Sequence, residues 1–240
     1  MMAASAAIGI MCKAPRPGGA KTRLAAMIGA GEAAMLSACF LRDVAAAIDA
    51  MPAFLRRKPY AVYAPAGAEP ELRSILPGSF GFLLQADADF GLVLFGAVQD
   101  LLAAGHDCVV LVNSDSPTLP TSLLVVAVEA LRQPADRMVL GPAIDGGYYL
   151  IGLKTAHRHL FTDIPWGTAD VARLTLRRAA EIGLEVMLLP EWYDIDDADT
   201  LAMLRDELAG RPLRVAGDPP PGSTAAATRA YLASLSVAAK

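Results

Sequence analysis

Only three cysteines occur, Cys12, Cys39 and Cys108, each in an apolar stretch and none in a C-x-x-C spacing. That excludes a disulfide framework and a zinc knuckle, and predicts reduced thiols in a cytoplasmic protein. Long apolar runs are lacking as well: no stretch approaches the roughly 18 to 20 residues that a membrane span requires. The opening run carries no basic residue before Lys13 and leads into a Pro/Gly turn, so it reads as a strand and not as a signal peptide. There is no dense basic face, since 21 Lys+Arg stand against 25 Asp+Glu with a pI near 5.4. A nucleic-acid grip that works by neutralising many phosphates is therefore excluded, whereas a small anion held by a few residues is not. The three histidines, His106, His157 and His159, have no catalytic partner or third metal ligand nearby in sequence. Walker, Gly-x-Gly-x-x-Gly, Gly-x-Ser-x-Gly and metalloprotease signatures are all absent.

What is present is a chain of 240 residues, 54% of them hydrophobic. A chain of this length buries roughly 70% or more of its unfolded surface without staples. Short apolar runs bounded by turn residues recur at 6–12, 60–64, 80–85, 108–113, 138–141, 148–153 and 185–189, which predicts seven strands. Helical periodicity fills 32–50, 92–105, 121–131 and 168–183, with Thr121 and Thr168 at N-cap positions and Gly105 and Gly183 at C-terminal ones. The alternation predicts right-handed βαβ crossovers, hence a mostly parallel α/β sheet with helices on both faces. Residues 138–153, two runs joined through Ile144-Asp145-Gly146-Gly147, break the rhythm and add a small antiparallel element. Composition shifts only at 210–225, where Pro212, Pro219, Pro220 and Pro221 gather. The expected organisation is one domain over residues 1–209, then a Pro/Gly-rich linker and a weak accessory helix over 210–240.

In open α/β sheets ligands bind beyond the carboxyl ends of the strands, so the loops there carry the chemistry. After the first strand come Lys13, Arg16, Lys21 and Arg23, four cations within eleven residues, around the paired Gly18 and Gly19. Bare backbone plus cations at a helix entry suits a phosphate chain; a solvated basic turn is the alternative. After the fourth strand, Asp115 precedes Ser116-Pro117. It either holds Mg²⁺ or Mn²⁺, which with phosphate ligands need only one or two carboxylates, or makes an Asx turn. Asp194 and Asp196 alternate, so an extended backbone points both to one side, while Asp197 stands where it could cap a following helix. The Asp145-Gly146-Gly147-Tyr148-Tyr149 block is either a sugar or base platform or a plain Asp-Gly hairpin turn. Trp166 stands at a helix entry, as a staple or a ligand platform.

Taken in order, Lys13-x-Pro15, Gly18-x-x-Lys21-Thr22-Arg23-Leu24, Asp115-Ser116-Pro117, Gly141-Pro142, the block from Asp145 to Leu153, Ile164-Pro165-Trp166 and Asp194-Ile195-Asp196 form a recognisable series. The chain resembles the DUF2064 family of bacterial candidate glycosyltransferases, some named for arsenosugar biosynthesis, within the nucleotide-diphospho-sugar transferase (GT-A) superfamily. The resemblance spans residues 6–208, and its basic loop is also similar to that of the phospholactate guanylyltransferases. It implies a Rossmann-like GT-A sandwich in which Lys13, Pro15, Gly18, Gly19, Lys21 and Arg23 meet a nucleotide's phosphates. It also implies that Asp115 binds a divalent metal, Mg or Mn, with Asp194 or Asp196, and that Asp145, Gly146, Gly147, Tyr148 and Trp166 lie by the sugar or acceptor. Metal-dependent glycosyl transfer from a nucleotide-sugar to a small acceptor is the implied activity, with Lys21 and Arg23 stabilising the leaving group and Asp145 as candidate base. Nucleotidyl transfer with release of pyrophosphate, and a degenerate nucleotide-binding protein, are the alternatives. One segment departs from the family pattern: where Gln-Gly-x-Gly-Asp-Leu-Gly-x-Arg is expected, the chain has Gln85, Ala86, Asp87, Ala88, Asp89, Phe90, Gly91, Leu92 and Val93.

Overall fold

All seven expected strands form: β1 (Ala6–Lys13), β2 (Arg57–Ala64), β3 (Gly81–Leu84), β4 (Cys108–Asn113), β5 (Arg137–Pro142), β6 (Tyr148–Leu153) and β7 (Glu185–Leu188). The structure, a computed structural model, describes residues 5–19 and 21–238. The start of the chain before Ser5, Ala20 of the basic loop, and the expected extension of the last helix to Lys240 lie outside the described residues.

The strands make one sheet in the order β3-β2-β1-β4-β6-β5-β7. All neighbours are parallel except β6, which runs antiparallel to both β4 and β5, as the break in rhythm at 138–153 implies. β1 and β4 are deeply buried, with apolar side chains on both faces, which is why they read as continuous apolar runs and not as alternating ones. From β1 the chain winds outward to β2 and β3 and then returns to place β4 on the other side of β1. The crevice above the carboxyl ends of β1 and β4 is therefore the switch point of the sheet.

Two apolar layers cover the sheet. On one face α2 (Ala30–Asp49), α5 (Thr121–Leu131) and the later helices α7 (Ala198–Leu208) and α8 (Ala226–Ala238) enclose Phe40, Leu36, Val128, Leu204 and Trp192. On the other, α4 (Phe90–Ala103) and α6 (Val171–Glu181) pack with Leu94, Val98, Leu160 and Ala179. The short α1 (Thr22–Ile28) and α3 (Glu69–Ile75) escaped the periodicity reading because two turns supply too few periodic positions.

Gly105 takes φ +95 just past the C-cap Ala104 of α4, and Gly183 takes φ +65 just past the C-cap Ile182 of α6, as expected of residues that end helices. The expected N-caps are corrected. Pro120 precedes α5, and the hydroxyl of Thr121 donates to Ala47 O at 2.9 Å, tying α5 to α2. Asp170 is the N-cap residue of α6, and Thr168 instead donates to Pro165 O at 2.8 Å in the turn before it. Asp197 is a true cap: it accepts from Thr200 N at 3.0 Å in a capping box that starts α7.

The segment expected to be an accessory tail is anchored to the body. Ser223 N donates to Thr118 O at 2.8 Å, and its hydroxyl donates to Pro117 O at 3.0 Å. The buried carboxylate of Asp43 on α2 then accepts from Ala227 N at 2.9 Å and Thr228 N at 2.8 Å, capping α8. The Pro-rich segment here is a strap tied down at Ser223, whose backbone and hydroxyl find partners on the loop after β4. Among the described residues no helix is long and apolar enough to cross a membrane.

Candidate functional site

The basic loop leaves β1 in a tight turn. Arg16 N bonds Ala14 O, Gly19 N bonds Arg16 O, and Gly18 takes φ +76, a conformation that glycine enters without penalty. Gly18 and Gly19 are exposed and Pro15 is half-buried. The four cations then separate by environment. Arg16 turns away to Glu71 at 2.7 Å. Lys13 sits exposed at the cleft, alone of the four without an ion pair among the described residues. Lys21, in the left-handed region at φ 55, drives an ammonium only 5% exposed between Asp115 at 2.9 Å and Asp196 at 2.6 Å. Arg23, 68% exposed, reaches Asp196 at 2.7 Å.

The acidic side of the cleft comes from two loops held in register. Asp115 follows β4, and its carbonyl accepts from Ile195 N at 2.9 Å. Ser116, wholly buried, donates its hydroxyl to Tyr193 O at 2.7 Å. These bonds bring the loop of Asp194 and Asp196 beside Asp115. Asn113 Oδ1 accepts from Asp115 N at 3.4 Å, so the Asx turn at this strand end belongs to Asn113 and leaves the Asp115 carboxylate for other work. Burial, together with Asp196 and Asp145 nearby, pushes the Asp194 carboxyl up to about 7. Lys21 is desolvated, yet the two carboxylates hold its ammonium above the ordinary lysine range.

Lys13, Lys21, Arg23, Asp115 and Asp196 line one cavity of about 470 Å³ over the ends of β1 and β4. Its far walls are Ser37 and Leu41 of α2, Gln85 after β3, and the 45% exposed ring of Phe90. A second hollow of about 860 Å³ opens beside it between the ends of β2 and β3 and helix α4, sharing Lys13, Gln85 and Phe90. The departing segment lies here: Ala86, Ala88 and Val93 line this second hollow. Val93 is buried, at 6% exposure, and meets the hollow from the α4 side. Phe90 and Gln85 were read only as part of that altered segment. No chemical signature marks them, and only the fold brings them to the cleft.

The Asp145 block forms the β5–β6 turn. Asp145 Oδ1 accepts from Gly147 N at 2.8 Å, and the turn closes through Ala143 N to Gly147 O at 3.0 Å. Gly146 takes φ +88, and a Cβ there would sit 2.1 Å from Ala169 O, so the turn needs glycine to dock before α6. The exposed Asp145 carboxylate is close enough to Asp194 to affect it, which puts this turn on the acidic side of the site. Tyr148 and Trp166 lie edge to face at 6.3 Å, with Phe90 on the other side of Trp166 at 5.2 Å. The Tyr148 hydroxyl is buried beside Thr175, and burial raises its pKa, so this tyrosine supports the cleft from behind and does not present its hydroxyl to it. Cys12 lines the cavity, but burial pushes its thiol up to about 12 and leaves it inert.

Residues 47–168 match the family described as an uncharacterized protein conserved in bacteria, DUF2064. The chain belongs to that family. No curated protein matches it significantly. Among solved structures the family fold recurs in a candidate nucleotide-diphospho-sugar transferase from Desulfovibrio desulfuricans G20, 30% identical over 96% of both chains with a TM-score of 0.79. A CMP:2-keto-3-deoxy-manno-octonic acid synthetase complexed with CTP is 11% identical, with a TM-score of 0.58 over 86% of this chain and 99% of that one. A glucosyl-3-phosphoglycerate synthase from Mycobacterium tuberculosis, in complex with Mn²⁺ and UDP, is 12% identical, with a TM-score of 0.51 over 88% and 82%. The last two share the fold alone.

Proposed function

We infer that this chain is a transferase that takes a nucleotide-sugar, seats its phosphates at the β1–β4 cleft, and passes the sugar to a small-molecule acceptor. The observation that carries this reading is the convergence of Lys13, Lys21 and Arg23 with Asp115 and Asp196 around one cavity at the switch point of the sheet.

The donor set fits a hard divalent cation held together with phosphate. Among the described residues no three His, Cys, Asp or Glu side chains form a ready-made metal cage. Two carboxylates suffice, however, when phosphate and water complete the shell. Asp115 and Asp196 would hold the ion, with Asp194 beside them. A bound Mg²⁺ or Mn²⁺ would supply charge stabilisation for the departing phosphate oxygens.

The remaining work falls to the chain's own groups. Lys13 and Arg23 bind the phosphate oxygens and stabilise the charge that develops as the nucleoside diphosphate leaves. The hollow walled by Ala86, Ala88, Phe90 and Val93 offers apolar surface to the rest of the ligand. Asp145, on the exposed turn facing the acidic loops, would accept the proton of the attacking hydroxyl if the product is inverted.

Nucleotidyl transfer is the second reading. It is favoured by the fold likeness to the CTP-bound synthetase, and it places the same cations on the α-phosphate and on leaving pyrophosphate. A panel of nucleotide-sugars assayed for sugar transfer, beside a panel of nucleoside triphosphates assayed for pyrophosphate release, separates the two. Turnover in neither panel, with nucleotide still bound, would identify a degenerate binding protein.

A further inference from the structure

Every oxygen of the two carboxylates at the cleft is already engaged. Asp115 Oδ2 and Asp196 Oδ1 both accept from Lys21 Nζ, at 2.9 and 2.6 Å. Asp196 Oδ2 accepts from Arg23 at 2.7 Å, and Asp115 Oδ1 accepts from the Ser114 hydroxyl at 3.2 Å. A divalent cation that bridges Asp115 and Asp196 would occupy the space between them that Lys21 Nζ fills, so it and the Lys21 ammonium compete for one place. Arginine at position 21 would hold two carboxylates as a rigid fork, whereas lysine is a point charge on a flexible stem and is free to change partners. Further carboxylates stand close to the pair: Asp194 feels Asp196, Asp145, Lys21 and Asp115. An ammonium set free at this point already lines the phosphate cavity beside Lys13.

We propose that Lys21 is an exchangeable counter-ion: a divalent cation displaces it from Asp115 and Asp196, and the released ammonium turns to the phosphates of the ligand. This rests on the reading that the cleft takes phosphate, and it adds an order to it. The ion must overcome the Lys21 pairs when it binds alone. When a phosphate chain receives the ammonium, the two ligands help each other. By linkage each then tightens the other by the same factor, typically about 5- to 150-fold.

The test uses Mn²⁺ alone, without nucleotide, with binding to the full chain read by electron paramagnetic resonance. Lys21→Met removes the competitor and should tighten Mn²⁺ binding about tenfold or more over the unsubstituted chain. Adding Asp115→Asn to Lys21→Met should abolish that gain. Unchanged Mn²⁺ affinity in Lys21→Met, or a gain that survives Asp115→Asn, would overturn the proposal. Should Lys21→Met fail to fold, the unsubstituted chain decides. Saturating Mn²⁺ should raise the rate of reductive methylation at Lys21 several-fold, and an unchanged rate refutes the exchange. No arm contains nucleotide. A chain that exchanges Lys21 for Mn²⁺ but binds no nucleotide would therefore sink the transferase reading and leave the exchange standing.

Discussion

Ser116 donates its hydroxyl to the carbonyl of Tyr193 at 2.7 Å, and this buried bond, together with that from Ile195 N to Asp115 O, ties the loop after β4 to the loop that carries Asp194 and Asp196. The spacing of the acidic loops rests on this pair of bonds. Ser116→Ala leaves a buried carbonyl without this donor, which costs about 1–3 kcal/mol. The expected outcome is a lower thermal midpoint together with weaker nucleotide binding. An unchanged midpoint would show that the loops are held elsewhere.

Val93 is 6% exposed and lines the hollow beside the β1–β4 cavity. An arginine there has a path into the hollow, where Asp87 and Asp100 stand among apolar wall residues such as Val62, Leu83 and Ala97. Val93→Arg should cost under about 1 kcal/mol in denaturant unfolding, against several for an unpaired charge in a core. It should also tighten binding of a nucleotide. A large loss of stability would place Val93 in the core after all.

The strands were legible because a buried parallel sheet writes continuous apolar runs, and 108–113 and 148–153 match the observed bounds to the residue. The acidic residues were legible as types at strand ends, but not their partners. Nothing in the spacing of Lys21 says that its ammonium lies between Asp115 and Asp196, because that contact is made by the fold and not by the local chain. The same holds for Phe90 and Gln85, which ring and amide alone do not distinguish from packing residues. How the Pro-rich segment is held was not legible because prolines report only the absence of helix; the partners of Ser223 and of the α8 N-terminus sit on Pro117, Thr118 and Asp43, far off in sequence.

Asp194 gives stability a pH dependence of definite sign. Its carboxyl is raised from 3.8 to about 7, so between those values the unfolded chain is ionised at this residue while the folded chain keeps the proton. Its contribution to stability is full below about pH 4, falls as pH rises toward 7, and is flat above. Asp194→Asn removes this loss. The variant should gain about 2–4 kcal/mol over the unsubstituted chain at pH 8 relative to their difference at pH 4. Denaturant unfolding at both pH values measures it, and a pH-independent difference would contradict it.

Asp43 is buried on α2 and caps α8 through two backbone N–H groups. Asp43→Ala leaves those donors unpaired, at a cost of about 1–2 kcal/mol, and should loosen the strap. Limited proteolysis within 210–225 should speed up in the variant. Equal cleavage rates would mean that the bonds of Ser223 hold the strap without the cap.

The central claim is that the β1–β4 cleft binds the phosphates of a nucleotide through Lys13, Lys21 and Arg23 together with a divalent ion held by Asp115 and Asp196. Calorimetric titration with nucleoside di- and triphosphates, in Mg²⁺ or Mn²⁺ and again in excess chelator, tests it most directly. The account predicts binding with metal, a collapse of affinity in chelator, and loss of the metal dependence in Asp115→Asn with the fold intact. Equal affinity with and without chelator, or no nucleotide bound under either condition, would contradict it.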